Sequence, residues 1–142
     1  MQRANGSPAD LNALVGAAIH IADIESATIF VLPAGATELE LATAAGIDGQ
    51  PLTRLTEAVR NPTHPIAQTA ADGTASFDIA PIAPGGPALR SHIPLILENE
   101  GSPIVLGVLA VAHQTSLDET SRHELDELAD HAAVILSRAR QP

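Results

Sequence analysis

Two apolar runs, residues 89–97 (LRSHIPLIL) and 104–112 (IVLGVLAVA), flank the polar connection ENEGSP at 98–103 and leave this chain few folds to choose from. Both runs are rich in Ile, Leu and Val, and the connection carries Gly and Pro, so together they read as one β-hairpin. Neither run alternates cleanly between apolar and polar residues. Strands of that kind are covered on both sides, so the hairpin predicts a sheet with material packed on each face. Setting Leu97 opposite Ile104 places His92 opposite Leu109 and Arg90 opposite Val111.

The sequence on either side supplies the rest of the domain. Ser7, Pro8 and Asp10 start a helix, with an N-cap, a proline at the first helical position and an acid in the first turn. Leu11, Leu14, Val15, Ala18, Ile19 and Ala22 follow at three- and four-residue spacing and give that helix one apolar face. Residues 27–32 are a β-rich run, Pro33-Ala34-Gly35 is a turn, and 38–44 set Leu39, Leu41 and Thr43 against Glu38, Glu40 and Ala42. This pair predicts two antiparallel strands. Residues 46–88 are broken by Pro and Gly. Within them Leu52, Leu55 and Val59 predict a short helix, 65–71 a second that opens on Pro65 and stops before Asp72-Gly73, Phe77 a brief strand, and 80–87 (APIAPGGP) a loop. A loop of that length inside a small domain is more often functional than idle. Ser116 and Glu119 form a capping box, and Leu125, Leu128, Ala132, Ile135 and Ala139 carry an apolar stripe down a long closing helix. The reading is a single α/β domain over residues 1–142, with tails at 1–7 and 140–142.

Composition narrows the partners. At 142 residues and 45% hydrophobic content, the chain can bury a sizeable core without staples. Its formal charge is -10, every basic residue is an arginine, and the arginines are scattered. Such a surface repels phosphate backbones and anionic bilayers, so neither nucleic acid nor membrane is expected as a partner. The absence of cysteine removes disulfides, thiolate zinc sites, thiol catalysis and sulfur-linked chromophores. No run approaches the roughly twenty apolar residues that cross a bilayer, and the first residues lack a basic stretch followed by an apolar one. These features predict a cytoplasmic protein. With two Phe and neither Trp nor Tyr, base stacking and aromatic cages have little to build on.

Within the hairpin, Ser91-His92-Ile93-Pro94-Leu95 and Gly107-Val108-Leu109-Ala110-Val111, and after it LDELADHAAVILSRA at 125–139, resemble the last third of a GAF domain. In that family the first strand of such a pair often reads as a small polar residue, apolar positions and Pro-Leu, and the second opens on Gly. The order of elements is similar to that family over nearly the whole chain, although PAS and roadblock-type domains share the mixed architecture. The resemblance implies an α+β fold, in which a central antiparallel sheet carries the terminal helices on one face and the loop-rich middle segment over the other, as a ligand pocket. It also implies signalling: family members sense cyclic nucleotides, bilins, haem, small anions or metabolites, or they only dimerise and contact partners. The cyclic-nucleotide signature needs a Lys, and the bilin-attaching and free methionine sulfoxide reductase members need a Cys. This chain has neither residue type, so no cofactor can be named.

Several side chains are candidates for chemistry. Arg90 and His92 occupy alternate positions of one strand and share a face, where they can present donors to an anionic ligand; the alternative is an Arg90 paired with an acid near the sheet edge and a hydrogen-bonded core histidine. His64, ahead of Pro65, is either a further pocket residue or a solvated helix start. His113 shares the parity of His92 in the register above but stands about four residues, roughly 13 Å, along the sheet, too far to share a metal. His123, Glu127 and His131 recur every four residues, yet HELDELADH lacks the HExxH arrangement and reads as a solvated helix flank. Ser91 and His92 are consecutive on a strand, point to opposite faces, and cannot form a nucleophile and base pair. Pro84-Gly85-Gly86-Pro87 lacks the Lys and the strand-to-helix context of a phosphate loop. No catalytic or metal-binding set emerges, and the chain reads as a non-enzyme.

Two functions then compete. In the first, a signal-sensing module of bacterial-type signal transduction binds a small molecule between the sheet and residues 52–88, with Arg90, His92 and His64 as ligand-binding residues. In the second, a dimerisation or protein-interaction module acts without ligand through its terminal helices, with Leu11, Leu14, Leu128 and Ile135 at a homodimer seam. Either would pass its signal to a downstream signalling protein.

Overall fold

The hairpin lies inside the sheet and its second strand is the central one. In a computed structural model, which describes residues 8–80, 89–99 and 101–140, the chain runs α1 (Pro8–Ala18), β1 (Ile24–Val31), β2 (Glu40–Ala45), α2 (Gly49–Ala58), α3 (Pro65–Asp72), β3 (Ser76–Ile79), β4 (Leu89–Asn99), β5 (Ser102–His113) and α4 (Glu119–Arg140). The five strands stand in the order β2-β1-β5-β4-β3, with every neighbouring pair antiparallel. The cap expected at Ser7, the 1–7 tail and most of the 80–87 loop lie outside the described residues. Helix α4 runs through Arg140, the first residue assigned to the C-terminal tail.

Each face of the sheet carries its own core. On one side α1 and α4 bury Leu11, Leu14, Val15, Leu125, Ala132 and Ile135 against Ile29, Ile93, Leu95, Leu109 and Val111. On the other, Val59 and Ile66, at the end of α2 and in α3, close over Phe30, Leu39, Val108 and Ala110. The two-sided burial explains why the hairpin strands do not alternate: residues 106–113 of β5 are all buried. Pro94, which lacks a backbone donor, sits past the last β3 pairing at Ser76 and His92, where β4 is an edge and a proline is tolerated.

Leu97 pairs with Ile104 as the sequence predicts, but Leu106 is an extra residue in β5: Ile96 pairs with Val105, and Leu95 with Gly107. This bulge corrects the expected register. His92 stands opposite Ala110 rather than Leu109, and Arg90 opposite Ala112 rather than Val111. A slip of one residue also reverses parity, so His113 lies on the face opposite His92 rather than sharing it. The bulged residue stays bonded, since the Leu32 N–H donates to the Leu106 carbonyl at 2.8 Å. A second bulge, at Ala42, pairs Ile29 with Thr43 and Phe30 with Leu41. Leu41 therefore joins the Phe30 side while Thr43 bonds to Asn12 of α1, although alternation alone put them on one face.

The start of α4 is a further correction. Its cap is Asp118, whose Oδ1 accepts from the Ser121 N–H at 2.8 Å, not Ser116 with Glu119. Leu117 is buried, and its N–H donates to Asp78, so the chain enters the helix two residues later than the capping box predicts.

Gly107 marks the closest approach of β5 to β1: a Cβ there would stand 2.1 Å from the Phe30 carbonyl oxygen. Gly107→Ala must push backbone away from backbone, with no rotamer to give way, and should cost about 3 kcal/mol in urea denaturation. A loss below about 0.5 kcal/mol, ordinary for a surface change, would show that the strands have slack at this point.

Candidate functional site

Strand β4 sends alternate side chains into different layers. Arg90 and His92 point to the α3 side, opposite the small residues Ala112 and Ala110 of β5. Helix α3 crosses β4 and β5 on this face. It is opened by His64, an extended residue whose Nδ1 accepts from the Ile66 N–H at 3.1 Å, and by Pro65 at the first helical position. Gly73, with φ of 69°, ends the helix in the left-handed conformation. His64 is thus a half-buried cap rather than a solvated helix start. Because its Nδ1 accepts, its neutral ring carries the proton on Nε2.

The structure brings His64, Arg90 and His92 together. His92 is 1% exposed, and both of its ring nitrogens are buried without a hydrogen-bond partner among the described residues. It is therefore not the hydrogen-bonded core histidine that the sequence left as an alternative. Burial, then the neighbouring His64, then the Arg90 guanidinium hold its pKa down at about 3. His64 is lowered in the same direction, first by burial and then by Arg90. Arg90 is itself lowered by burial and has no ion pair or hydrogen bond among the described residues. Three groups that could each carry positive charge are thus close enough to act on one another, and among the described residues none of them has an ion pair. A groove of about 490 Å³ between α2 and the start of α3, walled by Arg54, Glu57, Asn61 and Thr63, reaches His64 from outside. Arg90 and His92 do not line it. The remainder of the expected pocket wall, at 81–88, lies outside the described residues.

Ser91, between Arg90 and His92, points the other way and joins a polar network that sequence reasoning missed. Its Oγ is 2.8 Å from His113 Nε2, and the opposite ring nitrogen, Nδ1, is 2.7 Å from the Thr115 carbonyl. A carbonyl can only accept, so Nδ1 carries the proton and Nε2 accepts from the serine. The Asp78 N–H donates to the same Oγ, and the Asp78 carboxylate accepts from Leu117 N–H and from Arg122, which also lies 4.6 Å from the centre of the Phe77 ring. Asp78 takes a φ of 58°, an uncommon conformation that aims its carboxylate at the start of α4. The pair resembles a nucleophile with its base, but Ser91 and His113 are both 0% exposed, so no substrate reaches them. The parity flip at Leu106 is what brings these two residues together, and no sequence pattern marks it.

Sheet order, a helical layer on each face, and the hairpin with its closing helix are together decisive. The chain has the GAF fold. The GAF-B domain of DevS from Mycobacterium smegmatis superposes with a TM-score of 0.69 at 20% identity, covering 94% of this chain and 95% of that one. The GAF domain of a phosphoenolpyruvate-protein phosphotransferase from Coxiella burnetii gives 0.74 at 16% identity, over 97% and 86%. A type II free methionine-R-sulfoxide reductase from Thermoplasma acidophilum gives 0.67 at 12% identity, over 91% of each chain. No family sequence model and no curated protein sequence matches, so the likeness to GAF domains is one of structure.

The other candidates do not join the site. His123 and Glu127 form an exposed pair at 3.8 Å on α4, and among the described residues no three metal-ligating side chains converge. No helix among the described residues is long and apolar enough to cross a membrane. The dimer seam expected on Leu11, Leu14, Leu128 and Ile135 is not at the surface of this GAF sheet. Leu11, Leu14 and Ile135 are buried in the chain's own core and Leu128 packs against it, because α1 and α4 need these stripes to cover β4 and β5. Val134 of α4 is 41% exposed, an apolar side chain left to solvent.

Two measurements check this geometry. Ser91→Ala strands the buried Nε2 of His113 and the Asp78 N–H, and should cost about 1–3 kcal/mol by urea denaturation; a neutral result would mean that the network is not formed. For His92 the sign follows from its low folded pKa. An unfolded histidine takes up a proton near the ordinary 6.5 while folded His92 stays neutral to about 3, so its stabilising contribution, present above 6.5, is lost as pH falls between those values. Between about pH 7 and about pH 4.5, His92→Gln should lose less stability than the parent protein. Equal losses would contradict the burial of a neutral imidazole.

Proposed function

We propose that this domain is a non-enzymatic signal sensor that binds a small anionic molecule between the sheet and the α2–α3 segment, with Arg90, His92 and His64 as its ligand contacts. The observation that carries this reading is His92. A fully buried imidazole with neither nitrogen bonded among the described residues costs free energy unless something bonds to it, and beside it stands an arginine without a counter-ion among those residues. A bound anion would relieve both costs at once, and the groove that ends at His64 offers it an approach. The fold is shared with a GAF sensor protein from Burkholderia vietnamiensis, which agrees with this role.

The reductase among the fold neighbours invites an enzymatic reading, but this chain has no cysteine, and the Ser91–His113 pair is sealed from solvent. The reading of a ligand-free dimerisation module loses its support, because the stripes assigned to the seam cover the chain's own core. A downstream signalling protein would read the state of the site from exposed surface, for which the Val134 flank of α4 is available.

Native mass spectrometry of the protein as purified tests the proposal. The parent chain should carry a small-molecule mass adduct, and Arg90→Ala should carry at least about tenfold less of it, as expected for loss of a charge-assisted contact. A parent chain at its bare polypeptide mass, or equal retention by Arg90→Ala, would contradict it.

A further inference from the structure

Building on the sensor reading above, we infer that the ligand is an organic anion that also carries a hydrogen-bond donor, such as a hydroxy acid or an acid amide, and not an anion built only of acceptors. The inference rests on the hydrogen-bonding capacity of the side chains around the site. Arg90 brings up to five N–H donors and no acceptor, with none of them bonded to protein among the described residues. His64 has its Nδ1 occupied by the Ile66 N–H, so it faces a ligand through Nε2–H, another donor. His92 differs. It is 1% exposed with both nitrogens unpartnered among the described residues, and burial beside a guanidinium keeps the ring neutral. A neutral imidazole is a donor at one nitrogen and an acceptor at the other.

The site therefore presents several donors and one acceptor nitrogen. A carboxylate satisfies Arg90, His64 and the N–H of His92. It cannot satisfy the other His92 nitrogen, because two lone pairs would then face each other. Nitrate, acetate or a phosphate dianion leaves that nitrogen buried and unbonded, at the full cost of its desolvation. A hydroxyl or amide N–H next to the anionic group would close the set. A neutral polyol would satisfy His92 and leave the Arg90 charge uncompensated. The requirement for both features in one molecule follows from the two residues acting on it together.

Three small probes separate the alternatives: acetate (anion, acceptors only), glycolate (the same anion with a hydroxyl) and glycolamide (donors without the charge). Titrated calorimetrically into the intact protein, after refolding from urea to strip any retained molecule, glycolate should bind at least about tenfold more tightly than acetate or glycolamide, the factor expected for one buried partner left unbonded. In His92→Leu, which keeps the volume and removes both nitrogens, glycolate and acetate should bind alike. In His92→Asn, which restores a donor and an acceptor, the preference for glycolate should return in part. Acetate binding within twofold of glycolate in the parent protein would overturn the inference and leave the anion-sensor reading standing, as would a water-mediated His92 that ignores the hydroxyl. Glycolamide as tight as glycolate would overturn the anionic requirement. No binding of any probe would overturn the inference as well, while the sensor reading is judged separately by the molecule the protein retains on purification. The parent-protein comparison needs no variant, so a misfolded His92 substitution does not leave the question open.

Discussion

The extra residue at Leu106 decides which layer each polar side chain of the hairpin serves. In an antiparallel pair a slip of one position exchanges the two faces along the whole strand. With the bulge, His92 and Arg90 lie over Ala110 and Ala112 on the α3 side, while Ser91 meets His113 on the α4 side. Without it, His113 would share the face of His92, and Ser91 and His113 would lie on opposite faces of the sheet. The bulge is held in place by the bond from Leu32 to the Leu106 carbonyl and by Gly107, which permits β1 to come within a distance that no side chain tolerates. Both halves of the hairpin's polar chemistry thus depend on backbone geometry where β1, β4 and β5 meet.

The polar residues of β4 consequently play two unlike parts. Ser91 is fully satisfied, inside a network that ties β3, β4 and β5 to the start of α4 through Asp78 and Arg122. Arg90 and His92 have no bonding partner among the described residues. Buried polar groups in folded proteins are nearly always bonded, and a completed network and an open one on alternate residues of one strand have different explanations. The first holds the sheet to the start of α4. The second is where the proposed ligand would bind. Because they share a backbone, movement of β4 around a ligand would be felt at Asp78, and so at the point where α4 begins.

Element order was legible in the sequence because each segment carries its own marks: turn residues at Pro33-Ala34-Gly35, Pro65 ahead of α3, and three- and four-residue spacing along α1 and α4. The register was not, for a physical reason. Residues 106–113 are buried on both faces, so their side chains give no alternation from which parity can be read, and one inserted residue leaves no trace in the pattern. The alternating Leu39, Leu41 and Thr43 misled for the related reason that a bulge at Ala42 switches faces midway. The cap of α4 was misplaced because Ser116 and Asp118 are both good caps locally, and the choice is made from a distance, by Asp78 fixing Leu117. At the site, the sequence identified His64, Arg90 and His92 one at a time. That they meet depends on how α3 lies across the sheet, and that His92 lacks partners depends on its surroundings; neither is a local property.

The account stands or falls on His92 as a neutral, shielded imidazole whose bonding partner comes from outside the chain. Long-range proton–nitrogen NMR of the histidine side chains, recorded on the protein as purified and again after refolding from urea, observes both of its ring nitrogens directly. The account predicts a single neutral form of His92 that does not titrate near 6.5, with nitrogen shifts that change once the retained molecule is removed. A His92 signal that titrates like a solvated histidine, or one that is unaltered by refolding, would contradict it.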